Sequence, residues 1–110
     1  MSKIIMPLMK PCKIVFCSFP ESENPDLCGF AREDLNEYVI AINTKLPKDV
    51  QKITMKHEFA HILLNHVDRY KAPTKEEQER NEIEAEEYAT EMTDETLQHL
   101  LKKAHKIERW

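Results

Sequence analysis

The spacing of apolar residues along the chain changes after Asn43. Before that point they form short β-rich runs at residues 13–18 (KIVFCS) and 37–43 (EYVIAIN), with a weaker run, LCGFAR, around Gly29. After it they recur every three or four residues, which is the spacing of amphipathic helices. The pattern predicts an α+β fold, with a small sheet followed by helices, in a single domain that covers residues 1–110.

The strand signals predict a small antiparallel sheet. The turn-rich segment SFPESENPD separates the first run from LCGFAR, and both neighbouring runs are short enough for a meander. We therefore expect about three antiparallel strands, with a possible fourth near Ile4 and Ile5.

Three helices are predicted in the rest of the chain. The first follows Pro47 and covers residues 48–66, with its apolar stripe formed by Ile53, Ala60, Leu63, Leu64 and Val67. The second begins at a capping box of Thr74 and Glu77 and runs to about residue 92. The third covers residues 95–109, with Asp94 as its N-cap.

Composition excludes some classes of partner for this chain. The 110 residues carry a formal net charge of −4, and we expect no direct contact with nucleic acid, whose binders usually have a basic excess. No apolar run approaches the roughly 18 residues that a membrane span needs, so no membrane partner is expected. The three cysteines lack CxxC spacing, which predicts free thiols in a reducing cytoplasm.

The segment HEFAHILLNH in the first helix carries candidate metal chemistry. His57 and His61 are four residues apart, so their imidazoles lie one helical turn apart on the same face, where both can bind one zinc ion. Glu58 lies at the flank of this pair, where it can accept a proton from a water molecule instead of binding the metal. The pattern predicts a zinc site with an adjacent general base.

His66 is not expected to be a ligand. In a continuous helix it points about 140° away from His61, and we expect an exposed or capping role for it. The third ligand should then come from the second helix. Glu82 and Glu84 flank its apolar stripe on opposite sides, and periodicity does not choose between them.

Three motifs in this order resemble the ImmA/IrrE family of zinc metallopeptidases. They are a strand that ends in YVIAIN, the helix KITMKHEFAHILLNH and the segment EIEAEEYATEM, which together lie between Gly29 and Met92. The resemblance implies zinc as the cofactor, His57 and His61 as ligands and Glu58 as the general base. It also implies that the glutamate before the alanine, Glu84, is the third ligand. The site then resembles that of a gluzincin.

The resemblance also implies a function. It predicts a cytoplasmic zinc metalloendopeptidase whose substrate is a protein regulator, such as a helix-turn-helix repressor. Asn43, at the end of the last strand, is expected to help an extended substrate pair with that strand. This sequence departs from the family at Glu86, where Asn or Asp is usual, and at the end of the third motif. The alternative hypothesis is a zinc-binding module that sequesters a regulator without cleaving it.

Overall fold

A computed structural model describes residues 10–20, 27–67 and 72–110. It confirms the α+β fold, with three helices and a four-stranded sheet in these ranges. In chain order the elements are β1 (Cys12–Cys17), β2 (Gly29–Glu33), β3 (Tyr38–Asn43), α1 (Lys48–Leu63), α2 (Lys75–Glu91), α3 (Asp94–Lys103) and β4 (Lys106–Arg109).

The sheet is mixed, and the antiparallel meander predicted from the sequence is wrong. The strand order is β2-β3-β1-β4, in which β1 is parallel to both β3 and β4, and only β2 and β3 are antiparallel. All six residues of β3 are buried, because β3 lies inside the sheet and is covered on both faces. A strand of this kind appears in the sequence as a continuous apolar run. The possible strand near Ile4 and Ile5 lies outside the described residues.

The third helix is shorter than predicted, because its last residues form β4 instead. The helix ends at Lys103, and Ala104 has the extended dihedral angles φ −62° and ψ 130°. Ile107, which lies within the predicted helix 95–109, instead pairs with Ile14 of β1. Hydrogen bonds to the sheet outweigh the local helical preference of this segment, which is too short to be stable alone.

The start of α3 also differs from the prediction. Thr93, not Asp94, is the N-cap, and its hydroxyl oxygen accepts a hydrogen bond from the backbone N–H of Thr96. Asp94 instead forms ion pairs with two lysines of α1. Its Oδ2 atom lies 2.6 Å from Nζ of Lys52, and its Oδ1 atom lies 2.9 Å from Nζ of Lys56. These two ion pairs attach the first turn of α3 to the helix that carries HEFAH.

The core lies between one face of the sheet and α1 and α3. Its most deeply buried large side chains are Phe59, Ile14, Ile40, Ile42 and Leu97. Cys12 also belongs to this core, and burial raises the pKa of its thiol to about 12, with the Glu37 charge as a smaller cause. None of the three cysteines forms a disulfide.

Helix α1 contacts other elements on several sides, so its buried face agrees only in part with the predicted stripe. Ala60 is fully buried as predicted, whereas Ile53 is 64% exposed and Phe59, which the stripe did not include, is fully buried. Ala60 packs against Ala85 and Ala89 of α2. These three small side chains allow the two helices to come close together.

The only glycine of the chain brings β2 close to α1. A Cβ atom added to Gly29 would lie 2.6 Å from the carbonyl oxygen of Ala41 and 2.9 Å from Cγ2 of Thr54. Both distances are shorter than a side chain tolerates, and the first obstacle is backbone. Gly29 is therefore required by the close approach of strand and helix. No helix in the described ranges is long and apolar enough to cross a membrane.

Candidate metal centre

His57 and His61 present two nitrogen atoms to one point, as the helical spacing predicts. Their Nε2 atoms are 3.1 Å apart, and their rings are nearly perpendicular, with an interplanar angle of 83°. His61 is 9% exposed, and His57 lies nearer the surface. One rigid helix therefore supplies two imidazole donors at the edge of the core.

Helix α2 adds a carboxylate to this pair. Oε2 of Glu82 is 2.9 Å from Nε2 of His57, and Oε1 of Glu82 is 3.2 Å from Nε2 of His61. Among the residues that the structure describes, these three form the group that is able to hold a metal ion, with all ligand atoms within 4.8 Å of one another. Glu82 reaches the histidines because the contact between Ala85 and Ala60 determines which sides of the two helices face each other.

Glu84, the ligand implied by the resemblance, lies elsewhere in the structure. Its Oε2 atom faces Nε2 of His66 at 3.8 Å, and the structure brings Glu82 to the histidine pair instead. The physical reason is the position of the helix contact. Ala85 and Ala89 define the buried face of α2, and Glu82 lies one turn before Ala85 on that face. Periodicity had left both glutamates open, and the choice of Glu84 came from the resemblance alone.

The three side chains fit a zinc ion. Bonds of about 2.0–2.1 Å in a tetrahedron place neighbouring ligand atoms about 3.3 Å apart. The two nitrogen atoms are 3.1 Å apart, and the nearest oxygen of Glu82 is a different one for each: Oε2 at 2.9 Å from His57 and Oε1 at 3.2 Å from His61. A small rotation of the carboxylate would direct one oxygen toward both nitrogens. Two nitrogens and one carboxylate oxygen also form the donor set of catalytic zinc sites that keep a fourth position for water or substrate.

The surroundings favour the neutral form of His61. Burial lowers the pKa of this imidazole, the charges of His57 and His66 lower it further, and Glu82 opposes them. A neutral imidazole has a free lone pair for a metal, whereas a protonated one has none. The environment of His61 therefore suits a ligand.

Glu58 is a buried carboxyl group that points into the same cleft. It is 7% exposed, and burial raises its pKa to about 7, with the charge of Glu82 as the second cause. A bound cation nearby would lower this pKa. Glu58 is not part of the ligand group formed by His57, His61 and Glu82, so it remains available for proton transfer.

A cleft of about 910 Å³ connects these residues to the surface. Its walls come from β2, α1 and α2. The apolar part of its lining includes Leu27, Phe30 and Ile53, and the metal-binding group and Glu58 form the polar part. A concave apolar wall with a few convergent polar groups is typical of a substrate site.

A family model described as the IrrE N-terminal-like domain, Peptidase_M78, matches residues 10–110. The chain belongs to this family. The match confirms the resemblance inferred from the three motifs and identifies a metallopeptidase-like domain. No curated protein and no solved structure matches the chain significantly.

His66 does not lie where the predicted helix 48–66 would place it. Helix α1 ends at Leu63, and Asn65 has a left-handed conformation with φ 60°. The chain therefore turns back, and Nδ1 of His66 lies 3.0 Å from Nδ1 of His61. The predicted direction, away from His61, is wrong because it assumed a continuous helix. The predicted exposure is also wrong, since the His66 side chain is 8% exposed.

Asn43 has a structural role in the Peptidase_M78 domain. Its Oδ1 atom accepts hydrogen bonds from the backbone N–H groups of Phe19 and Lys45, and its Nδ2 atom donates to the carbonyl of Leu27. Both edges of β3 are already paired, with β1 and β2. The prediction that a substrate pairs with β3 beside Asn43 is therefore wrong.

Proposed function

We propose that this Peptidase_M78 domain is a zinc-dependent endopeptidase. The observation that carries the proposal is the convergence of His57, His61 and Glu82 beside the buried carboxyl group of Glu58 in one cleft. A purely structural zinc site usually has four protein ligands and needs no base. Three ligand side chains with an adjacent proton acceptor instead suit metal-assisted hydrolysis of a peptide bond.

His57, His61 and Glu82 would hold the zinc ion, and Glu58 would transfer protons. When bound, zinc polarises a peptide carbonyl and makes a water molecule more acidic. Glu58 accepts a proton from the attacking water and passes it to the leaving amine. Burial raises the pKa of Glu58 above its ordinary value, which makes the carboxylate a stronger proton acceptor, while a nearby cation would lower that pKa again. Burial of Glu58 limits its exchange of protons with bulk water.

The cleft favours an extended polypeptide as substrate. Gly29, Phe30 and Ala31 of β2 line it opposite α1, and β2 is the outermost of the described strands on that side. A strand in this position is able to pair with a peptide through its backbone. We propose a protein regulator as the substrate, such as a helix-turn-helix repressor, which is the class that the family resemblance implies. Three cysteines that form no disulfide support a location in a reducing cytoplasm.

The substitution Glu58→Gln tests the proposal, since it keeps the shape of the side chain and removes its basicity. Wild type and variant, each loaded with zinc, are incubated with a peptide library made from a digested proteome, and new N termini are counted by mass spectrometry. We expect the variant to keep its zinc and to cleave 10²–10⁴-fold more slowly, which is the range for positioned acid–base groups. Wild type treated with a chelator should also lose activity.

The control is Glu86→Gln, a glutamate that lines the same cleft on α2 but is not part of the ligand group. It should cleave like wild type. If wild type with zinc produces no new termini, or if Glu58→Gln cleaves at the wild-type rate, the domain is not the proposed peptidase. Zinc binding without cleavage would instead support the module that sequesters a regulator.

A further inference from the structure

The side chain of His66 lies against the ring of His61 on the side away from the other two metal-binding residues. His61 directs Nε2 toward His57 and Glu82 and directs Nδ1 toward Nδ1 of His66, at 3.0 Å. The ring of His61 therefore separates His66 from the point where the ligand atoms converge. This placement makes His66 a partner of a ligand and not a fourth ligand.

The backbone holds the two histidines in this arrangement. The N–H of His66 donates to the carbonyl oxygen of His61 at 2.8 Å, and the left-handed Asn65 provides the turn between them. On the far side, Oε2 of Glu84 lies 3.8 Å from Nε2 of His66, which is too long for a hydrogen bond but close enough for electrostatic attraction. The main chain of His66 is therefore held by a hydrogen bond to His61, and its imidazole lies between the ring of His61 and the carboxylate of Glu84.

The contact between the two Nδ1 atoms restricts where protons lie. A hydrogen bond of 3.0 Å needs one donor and one acceptor, so only one of the two nitrogens carries a hydrogen. When Nε2 of His61 gives its lone pair to zinc, its proton must be on Nδ1. Nδ1 of His66 must then be the acceptor, and the proton of His66 lies on Nε2, which faces Glu84.

We propose that His66 is a positioning residue for the metal centre, whose Nδ1 atom accepts the Nδ1–H of His61. This inference rests on the proposed zinc site. The hydrogen bond selects the tautomer of His61 that has a lone pair on Nε2 and fixes the orientation of its ring. Ligand histidines commonly donate their second N–H to a carboxylate or carbonyl group, and loss of such a partner typically weakens metal binding 10–100-fold.

Two substitutions at one position test the proposal through zinc affinity. His66→Ala removes the acceptor, whereas His66→Asn places an amide oxygen close to the position of Nδ1. Zinc dissociation constants are measured by competition with a chromophoric chelator. We expect a dissociation constant about 10–100-fold higher for His66→Ala and within about threefold of wild type for His66→Asn. His99→Ala, at an exposed position on α3, is the matched control and should bind zinc like wild type.

A second measurement detects the hydrogen bond directly and does not depend on a variant that folds. In zinc-loaded wild-type protein labelled with ¹⁵N, NMR should show the Nδ1–H proton of His61 in slow exchange with water. It should also show a coupling between Nδ1 of His61 and Nδ1 of His66 through the hydrogen bond. A role limited to packing would produce neither signal.

The outcomes separate this inference from the proposed function. If His57→Ala loses zinc while His66→Ala binds it like wild type, the metal site is correct and the role of His66 is wrong. Absence of the coupling in zinc-loaded wild type also overturns that role, as does His66→Asn binding zinc no better than His66→Ala. If His57→Ala binds zinc like wild type, the metal site itself is wrong.

Discussion

Substituting Glu82 and Glu84, the first two of the four glutamates in EIEAEE, one at a time provides a stringent test of the metal centre. Glu82→Gln and Glu84→Gln are two residues apart on α2 and make the same chemical change. Their side chains are 64% and 47% exposed, so neither substitution disturbs the core. The resemblance to ImmA/IrrE proteins favours Glu84 as the third ligand. The structure places only Glu82 next to the Nε2 atoms of His57 and His61.

The expected magnitudes follow from these positions. Zinc binding by four protein ligands in small domains is worth about 10–16 kcal/mol, or roughly 2.5–4 kcal/mol for each ligand. The amide oxygen of Gln remains a weak ligand, and we therefore expect Glu82→Gln to raise the zinc dissociation constant about 10²-fold. Glu84 makes an exposed contact with His66 at 3.8 Å. Such contacts contribute less than about 1 kcal/mol, so Glu84→Gln should change the constant less than about fivefold.

Competition titration with a chromophoric chelator measures both constants. Thermal unfolding in excess zinc gives an independent reading, because zinc at 100 times its dissociation constant stabilises the folded chain by about 2.7 kcal/mol. That stabilisation should be lost in Glu82→Gln at the same zinc concentration and kept in Glu84→Gln. A strong effect of Glu84→Gln with a weak effect of Glu82→Gln would refute the geometric assignment. Equal affinities in both variants and wild type would exclude either glutamate as a ligand.

Two further predictions concern stability. Gly29→Ala should lower the free energy of unfolding by about 1–3 kcal/mol, because the added Cβ atom would lie 2.6 Å from a backbone carbonyl oxygen. Chemical denaturation measures this change, and an unchanged midpoint would contradict the prediction. Hydrogen bonds from Lys52 and Lys56 lower the pKa of Asp94 from 3.8 to about 2. The stabilisation from this carboxylate is complete above pH 3.8 and disappears as the pH falls through about 2. The difference in melting temperature between wild type and Asp94→Asn should therefore shrink between pH 5 and pH 2, and a constant difference would show that the ion pairs contribute nothing.

The features that the sequence determined by itself depend on contacts between near neighbours in the chain. The i, i+4 spacing of His57 and His61 on a helix places both imidazoles on one face in any fold that keeps the helix. The capping box of Thr74 and Glu77 likewise marks the start of α2, and both of its hydrogen bonds are present. The order of three strands, β1 to β3, followed by three helices also followed from the change in apolar spacing, although β4 after α3 did not. Each of these depends on backbone geometry over a few residues.

The strand pairings and the partners of the histidines were decided only by the tertiary structure. Local spacing does not reveal that β3 lies between β1 and β2, or that residues 106–109 leave a helical pattern to pair with β1. Glu82 is brought to the histidines by the packing of alanines between two helices, and periodicity had left Glu84 equally possible. His66 turns back because α1 ends at Leu63, three residues before the predicted end. These features depend on contacts between distant segments, whose free energy outweighs local preference and leaves no periodic signal in the sequence.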